Sequence, residues 1–210
     1  MSDSHRLVLV RHGQTEWSRT GRHTGLTDVD LTAEGERQAR ALAPALLPYR
    51  GCPVWSSPLT RARRTAELAG LRDVEVTDDL LEWDYGGYEG LTTAQIRGGD
   101  AGSGWTVFSD GVVPGDTPGE SLQQVTTRAR RVLDHARTVL DSSNLVLVGH
   151  GHALRVLAAC WVDADPTFGA RLILAAGSVS VLGSEHDVAG ILSWNASAVG
   201  ELSPAAGPPQ

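Results

Sequence analysis

Apolar residues fill every position of Leu7-Val8-Leu9-Val10 and again of Leu145-Val146-Leu147-Val148. Unbroken runs of this kind, each ending near a glycine, read as strands buried on both faces. Between them the period changes. Ala39, Leu42, Ala43 and Leu46 fall at helical spacing and predict a helix over 32–47, with Pro44 as a kink. Pro53-Val54-Trp55 predicts a second strand, 60–69 a helix with Thr60 as its N-cap, and the alternation Val74-Glu75-Val76 a third strand. Leu122, Val125, Ala129, Val132, Leu133 and Ala136 lie on one stripe of a long helix that ends near residue 140. A helix over 152–160 and strands over 171–174 and 178–182 follow.

Alternation of strand and helix predicts an α/β fold: one domain, a three-layer sandwich, with a mostly parallel central sheet and helices on both faces. The domain is expected to span 1–202, with the Gly- and Pro-rich stretch 98–119 as a lid-like loop and 203–210 as a disordered tail.

A chain of 210 residues suits one such domain and is short for two. No apolar run approaches the roughly 20 residues of a membrane span. Met1-Ser2-Asp3-Ser4-His5 lacks the basic and apolar segments of a signal peptide. Cys52 and Cys160 are too few and too far apart for a disulfide framework or a metal site. Together these features predict a cytoplasmic protein with no membrane partner. The net charge of −7 argues against a nucleic-acid partner. All 18 basic residues are arginine, whose planar fork suits phosphate oxygens, so an anionic ligand would need a locally positive pocket in an acidic protein.

The two buried strands each deliver a histidine. Arg11-His12-Gly13 follows the first, and Gly149-His150-Gly151-His152 follows the second. Open α/β sheets bind ligands at the carboxyl ends of their strands. A neutral His12 there could attack phosphorus, while Arg11 and a protonated His150 bind the anionic oxygens, and Gly13 and Gly151 let the phosphate approach closely. The spare nitrogen of His12 would donate to a backbone carbonyl to fix the tautomer. A bare strand-His-Gly unit also ends many buried strands, so the remaining motifs decide its weight.

Those motifs follow in order. They are Gln14-Thr15-Glu16-Trp17-Ser18, Thr24-Gly25-Leu26-Thr27-Asp28, Ser56-Ser57-Pro58-Leu59-Thr60-Arg61-Ala62, and Glu82-Trp83-Asp84-Tyr85-Gly86-Gly87-Tyr88-Glu89-Gly90. With the two His-Gly units they resemble the histidine phosphatase superfamily, the phosphoglycerate mutase-like enzymes, from residue 6 to at least residue 195. The closest groups in motif are the sedoheptulose-1,7-bisphosphatase-like enzymes and mycobacterial acid phosphatases. The resemblance implies monoester hydrolysis of a small phosphorylated substrate through a phosphohistidine on His12. It also selects Arg61 over Arg63 and Arg64 as a phosphate ligand, at the start of a helix whose free N–H groups would assist an anion. Glu82, Asp84 and Glu89 are rivals as proton donor by chemistry alone. The resemblance selects Glu82, where apolar neighbours would raise its pKa, and leaves Glu89 a structural role.

Ser18, His23, Thr24, Gly25 and Tyr85 fall where relatives contact the phosphate or its substituent. Ser18 stands where mutases usually carry Asn and reaches less far. His152 is left open between a partner of the pocket and a backbone-bonding residue at a helix start. No metal is expected from His150-Gly151-His152 alone and no nucleotide from the glycines, so no cofactor is predicted. A phosphoglycerate mutase is the competing enzyme, but 91–119 holds no lysine and only Arg97 as a cation. A non-catalytic sensor of a phosphorylated ligand is the other alternative. The reading is compatible with a homodimer.

Overall fold

A computed structural model describes residues 5–98 and 104–197. Part of the expected lid, 99–103, and the expected tail at 203–210 lie outside the described residues. Among the described residues six strands form one sheet: β1 (Leu7–Arg11), β2 (Val54–Ser56), β3 (Val74–Val76), β4 (Leu145–Gly149), β5 (Ser178–Glu185) and β6 (Val188–Ser197). Their spatial order is β3-β2-β4-β1-β5-β6. The first four are parallel, whereas β5 runs antiparallel to β1 and β6 antiparallel to β5, so the sheet is mixed.

The unbroken apolar runs are explained by the two layers that cover the sheet. Leu7 and Leu9 of β1 and Leu145 and Leu147 of β4 pack on one side, with Val125, Val132 and Leu133 of α7 (Leu122–Leu140) and Leu154 and Leu157 of α8 (Gly151–Trp161). Val8, Val10, Val146 and Val148 pack on the other, with Ala62 and Ala66 of α4 (Thr60–Leu68) and with Leu42. Leu42 follows α2 (Ala33–Ala41). Each such fully buried Leu or Val contributes about 1.5–3 kcal/mol over leaving it in water. Shorter helices are α1 (Glu16–Arg19), α3 (Ala43–Leu46), α5 (Thr93–Ile96) and α6 (Val107–Asp110).

Three expectations change, and one strand is added. The helix over 32–47 is divided: α2 ends at Ala41, α3 carries Pro44 in its first turn, and a 3₁₀ turn Leu47–Tyr49 follows. Thr60 is not the N-cap of α4. Leu59 holds that position, and Thr60 Nα–H and Oγ1–H both donate to the carboxylate of Asp28, at 2.8 and 2.7 Å. The stretch 171–174 is no strand. Arg171 ends a 3₁₀ helix, and the carbonyls of Ile173 and Leu174 accept from Trp194 and Arg11 side chains instead of a ladder. Finally, β6 joins the sheet edge through a two-residue turn. His186 and Asp187 there both take positive φ, 51° and 64°, the geometry that matches the twist of a hairpin.

Candidate active site

The parallel register pairs Arg11 with Gly149, so His12 and His150 leave adjacent strands at the same level of the sheet. Their ring centroids lie 5.1 Å apart. His12 is 4 % exposed, and its Nδ1–H donates to the carbonyl of Gly13 at 2.7 Å. This bond puts the proton on Nδ1 and leaves the Nε2 lone pair bare. Burial, then the nearby Arg61 and Arg11 charges, hold the His12 pKa well below its usual 6.5.

A cavity of about 180 Å³ opens here, lined by Arg11, His12, Glu82, Tyr85, His152 and Arg155, among others. Ser18, Arg22, His23 and Thr24 also border it, from the segment after β1. Gly151 starts α8 beneath the Arg11 guanidinium: a Cβ there would meet the guanidinium carbon at 3.2 Å. Gly13 has a different task from the one expected. A Cβ on it would lie 2.3 Å from the carbonyl oxygen of Gly35, so it permits a backbone crossing with α2 rather than room for phosphate.

Glu82 lies in an irregular segment between β3 and α5, with Leu80 and Trp83 buried beside it. Its carboxylate itself is not in apolar surroundings. Oε1 accepts from the backbone N–H groups of Ala153 at 2.8 Å and Trp83 at 2.9 Å, and Oε2 from that of His152 at 3.0 Å. The side chain thus caps α8 from outside the helix, in place of a capping bond from His150. Of the two rival carboxyl groups, Asp84 accepts from Gly86 N–H and Thr117 Oγ1–H. Glu89 accepts from the N–H groups of Gly25 and Thr27. Neither lines this cavity.

Arg61 and His150 are both fully buried behind the cavity wall. Arg61 donates through Nη1 to Thr27 O at 2.8 Å, through Nη2 to Gly25 O at 2.8 Å, and through Nε to His150 Nδ1 at 3.2 Å. His150 Nε2 faces Ser57 Oγ at 2.7 Å. The expected protonated His150 is not what this arrangement holds. Burial and then the Arg61 charge push its pKa well below 6.5, and accepting at Nδ1 requires a neutral ring. At the N-terminus of α4 the Thr60 N–H is likewise taken, by Asp28.

The other sequence-selected residues divide. Ser18 Oγ accepts from Thr15 N–H and donates to Thr15 O, closing the capping box of α1 at the cavity edge. Gly25 faces away, with its N–H on Glu89 and its carbonyl on Arg61. Tyr85 Oη and His152 Nδ1 share a hydrogen bond of 2.5 Å. His23 stacks against His152 at 5.9 Å, and burial lowers its pKa from 6.5 to about 4. His152 therefore belongs to the cavity wall and also gives its N–H to Glu82.

Arg155 was not singled out from the sequence. Its Nε and Nη2 donate to the carbonyls of Gly169 and Ala170, at 2.7 and 2.8 Å, and its guanidinium sits 4.9 Å over the Phe108 ring. Three residues after His152 on α8, it falls on the same helix face, and that spacing was the available signal. The described part of the expected lid is tied down nearby. Phe108 is buried against Trp83, and Val113 O accepts from Gly87 N–H.

The sequence profile of the histidine phosphatase superfamily (branch 1) matches residues 7–197. The chain belongs to this superfamily. It is 42 % identical over 187 residues to an acid phosphatase of Mycobacterium tuberculosis, covering 88 % of this chain and 89 % of that protein. It is 37 % identical over 186 residues to sedoheptulose 1,7-bisphosphatase of Saccharomyces cerevisiae, covering 74 % and 67 %. A solved structure of a Mycobacterium tuberculosis open reading frame superposes with a TM-score of 0.86 at 39 % identity, covering 93 % of this chain and 99 % of that one. The mixed sheet with helices around it is the phosphoglycerate mutase-like fold of such neighbours, and the chain is a histidine-type phosphatase. No described helix is long and apolar enough to cross a membrane.

Proposed function

We propose that this phosphatase hydrolyses small phosphomonoesters of the sugar-phosphate kind, without a metal ion, in two displacements through a phosphohistidine at His12. The observation that carries this reading is the His12 tautomer. Nδ1–H is fixed on Gly13 O, and the bare Nε2 belongs to a ring that borders the cavity and stays neutral. In the first displacement Nε2 bonds to phosphorus, the ester P–O bond breaks, and the Glu82 carboxyl gives its proton to the leaving oxygen. In the second, the Glu82 carboxylate takes a proton from water as it attacks, the N–P bond breaks, and inorganic phosphate leaves.

Positive charge comes from Arg11 at the cavity and from Arg61 behind it. Phosphoryl transfer depends mainly on such positioning and charge stabilisation. Ser18, His23, Thr24, Tyr85 and Arg155 surround the substituent, and about 180 Å³ suits a small one. Against a mutase, Arg97 is the one cation in 91–119, and its Nη2 is engaged on Trp105 O.

The test is to mix the protein with p-nitrophenyl phosphate in chelator, quench in alkali, and map the phosphoryl group by mass spectrometry. The expected result is full turnover and a phosphorylated peptide containing His12. Turnover without any adduct, or turnover lost in chelator and restored by a divalent ion, would overturn the reading.

A further inference from the structure

We propose that Glu120 and Arg128, which do not line the cavity, are positioning residues that fix where Glu82 holds its carboxyl group. The inference rests on the reading of Glu82 as proton donor.

The segment 81–85 has neither helix nor strand, so its backbone groups need partners from elsewhere. Glu120, just before α7, and Arg128, in its second turn, supply them, Glu120 through its backbone as well as its side chain. Arg128 donates through Nη1 to the carbonyls of Leu81 at 2.6 Å and Asp79 at 3.2 Å. Its Nε and Nη2 grip the Glu120 carboxylate in bidentate fashion, at 2.9 and 3.0 Å. Glu120 in turn accepts Asp84 N–H on Oε2 at 3.0 Å and the Trp83 indole N–H on its carbonyl at 2.7 Å. Its own N–H donates to Asp84 O at 2.8 Å. Residues 81, 83 and 84 are therefore all held by this pair, and residue 82 between them is Glu82.

On the opposite side the Glu82 carboxylate reaches the first turn of α8. The donor is stretched between two anchors, and a backbone shift at Leu81 or Asp84 would swing the carboxyl group relative to His12. A displacement of about 1 Å at a reacting group costs on the order of a hundredfold in rate.

Stability alone does not explain the pair. The side chains are only 8 % and 22 % exposed, and replacing a buried ion pair by apolar groups of similar shape is often neutral or stabilising. Among the described residues, the bonds made by both side chains end on each other or on the backbone of residues 79–84. This directs the pair at the segment that carries the donor.

The experiment measures pre-steady-state alcohol release by the full chain from p-nitrophenyl phosphate and from glycerol phosphate. Variants are Glu82→Gln, Glu120→Ala, Glu82→Gln with Glu120→Ala, and Glu120→Gln with Arg128→Met, each checked by circular dichroism. An aryl leaving group needs little protonation and an alkoxide needs it badly; general acid help is worth about a hundred- to ten-thousandfold. Glu120→Ala is expected to slow glycerol release about 10- to 100-fold and nitrophenol release less than about threefold, within that range. Adding Glu120→Ala to Glu82→Gln is expected to cost nothing more. If Glu120→Ala does not fold, the Gln–Met pair, which removes both charges and keeps the shape, is read in the same way. Equal losses on both substrates, no loss on either, or additive losses in the double variant overturn the positioning role while Glu82→Gln alone still discriminates leaving groups. Failure of Glu82→Gln to discriminate them overturns the donor reading and the positioning role with it.

Discussion

Arg61 Nε donates to His150 Nδ1 at 3.2 Å, which puts the proton of the neutral imidazole on Nε2, where it faces Ser57 Oγ at 2.7 Å. One buried guanidinium thereby sets the tautomer of a histidine 89 residues away and ties the 24–27 loop to α4 through Thr24, Gly25 and Thr27.

Arg61→Met should separate these effects. The carbonyl of buried Gly25 loses its donor, at about 1–3 kcal/mol, while that of exposed Thr27 can turn to water, so urea denaturation should show a loss of about 1–3 kcal/mol. The His150 pKa should rise, because Arg61 is the largest contributor to its depression after burial. Imidazole NMR titration reads this directly, and an unmoved His150 would refute the assignment.

Folding stability should fall in mild acid. His12, His150 and His152 have folded pKa values well below 6.5, and His23 one of about 4. The unfolded chain therefore binds more protons than the native one below about pH 6.5, and stability rises with pH through that window. It is fully present above about 6.5 and is lost progressively toward pH 4. For His23 alone the shift from 6.5 to about 4 is worth about 3 kcal/mol. Denaturant titrations at pH 7.5 and 5 check the sign, and His23→Phe should reduce the difference. Activity should outlast pH 6.5 on the acid side, because His12 is still neutral there.

Gly13→Ala should be strongly destabilising. Its Cβ would sit 2.3 Å from Gly35 O, a backbone atom fixed in α2. Overpacking of this kind costs about 1–3 kcal/mol or more. Gly104→Ala is the control, since no atom of the described residues lies within 4 Å of its added Cβ. Melting temperatures of the two variants should differ by several degrees.

Arg155→Met should raise KM more than it lowers kcat. The guanidinium borders the cavity beyond Tyr85 and His152, and its removal takes a cation from substrate and transition state alike. A charge-assisted hydrogen bond is worth about 1.5–3 kcal/mol, so KM should rise about 10- to 100-fold. An unchanged KM would show that the substrate leaves this wall untouched.

The sequence by itself determined the two central strands and the residues they deliver. Leu7-Val8-Leu9-Val10 and Leu145-Val146-Leu147-Val148 are local patterns, and one register between them brings His12 beside His150. The long stripe of α7 was equally local. What tertiary structure decided was charge state and anchoring, because both depend on partners distant in sequence. The neutrality of His150 comes from full burial and then from Arg61. The cap of α4 comes from Asp28, 32 residues before Thr60, and not from Thr60 itself. The β6 hairpin turns on His186 and Asp187, which lack the Asn-Gly signature of such turns, so no sequence cue announced it. Glu82 looked apolar in its neighbours, yet its carboxylate meets the N–H groups of α8, which are 70 and 71 residues onward. Periodicity reports which face of an element is buried. It carries no information about which polar group waits on the other side of the core, and that is where the chemistry of this site is set.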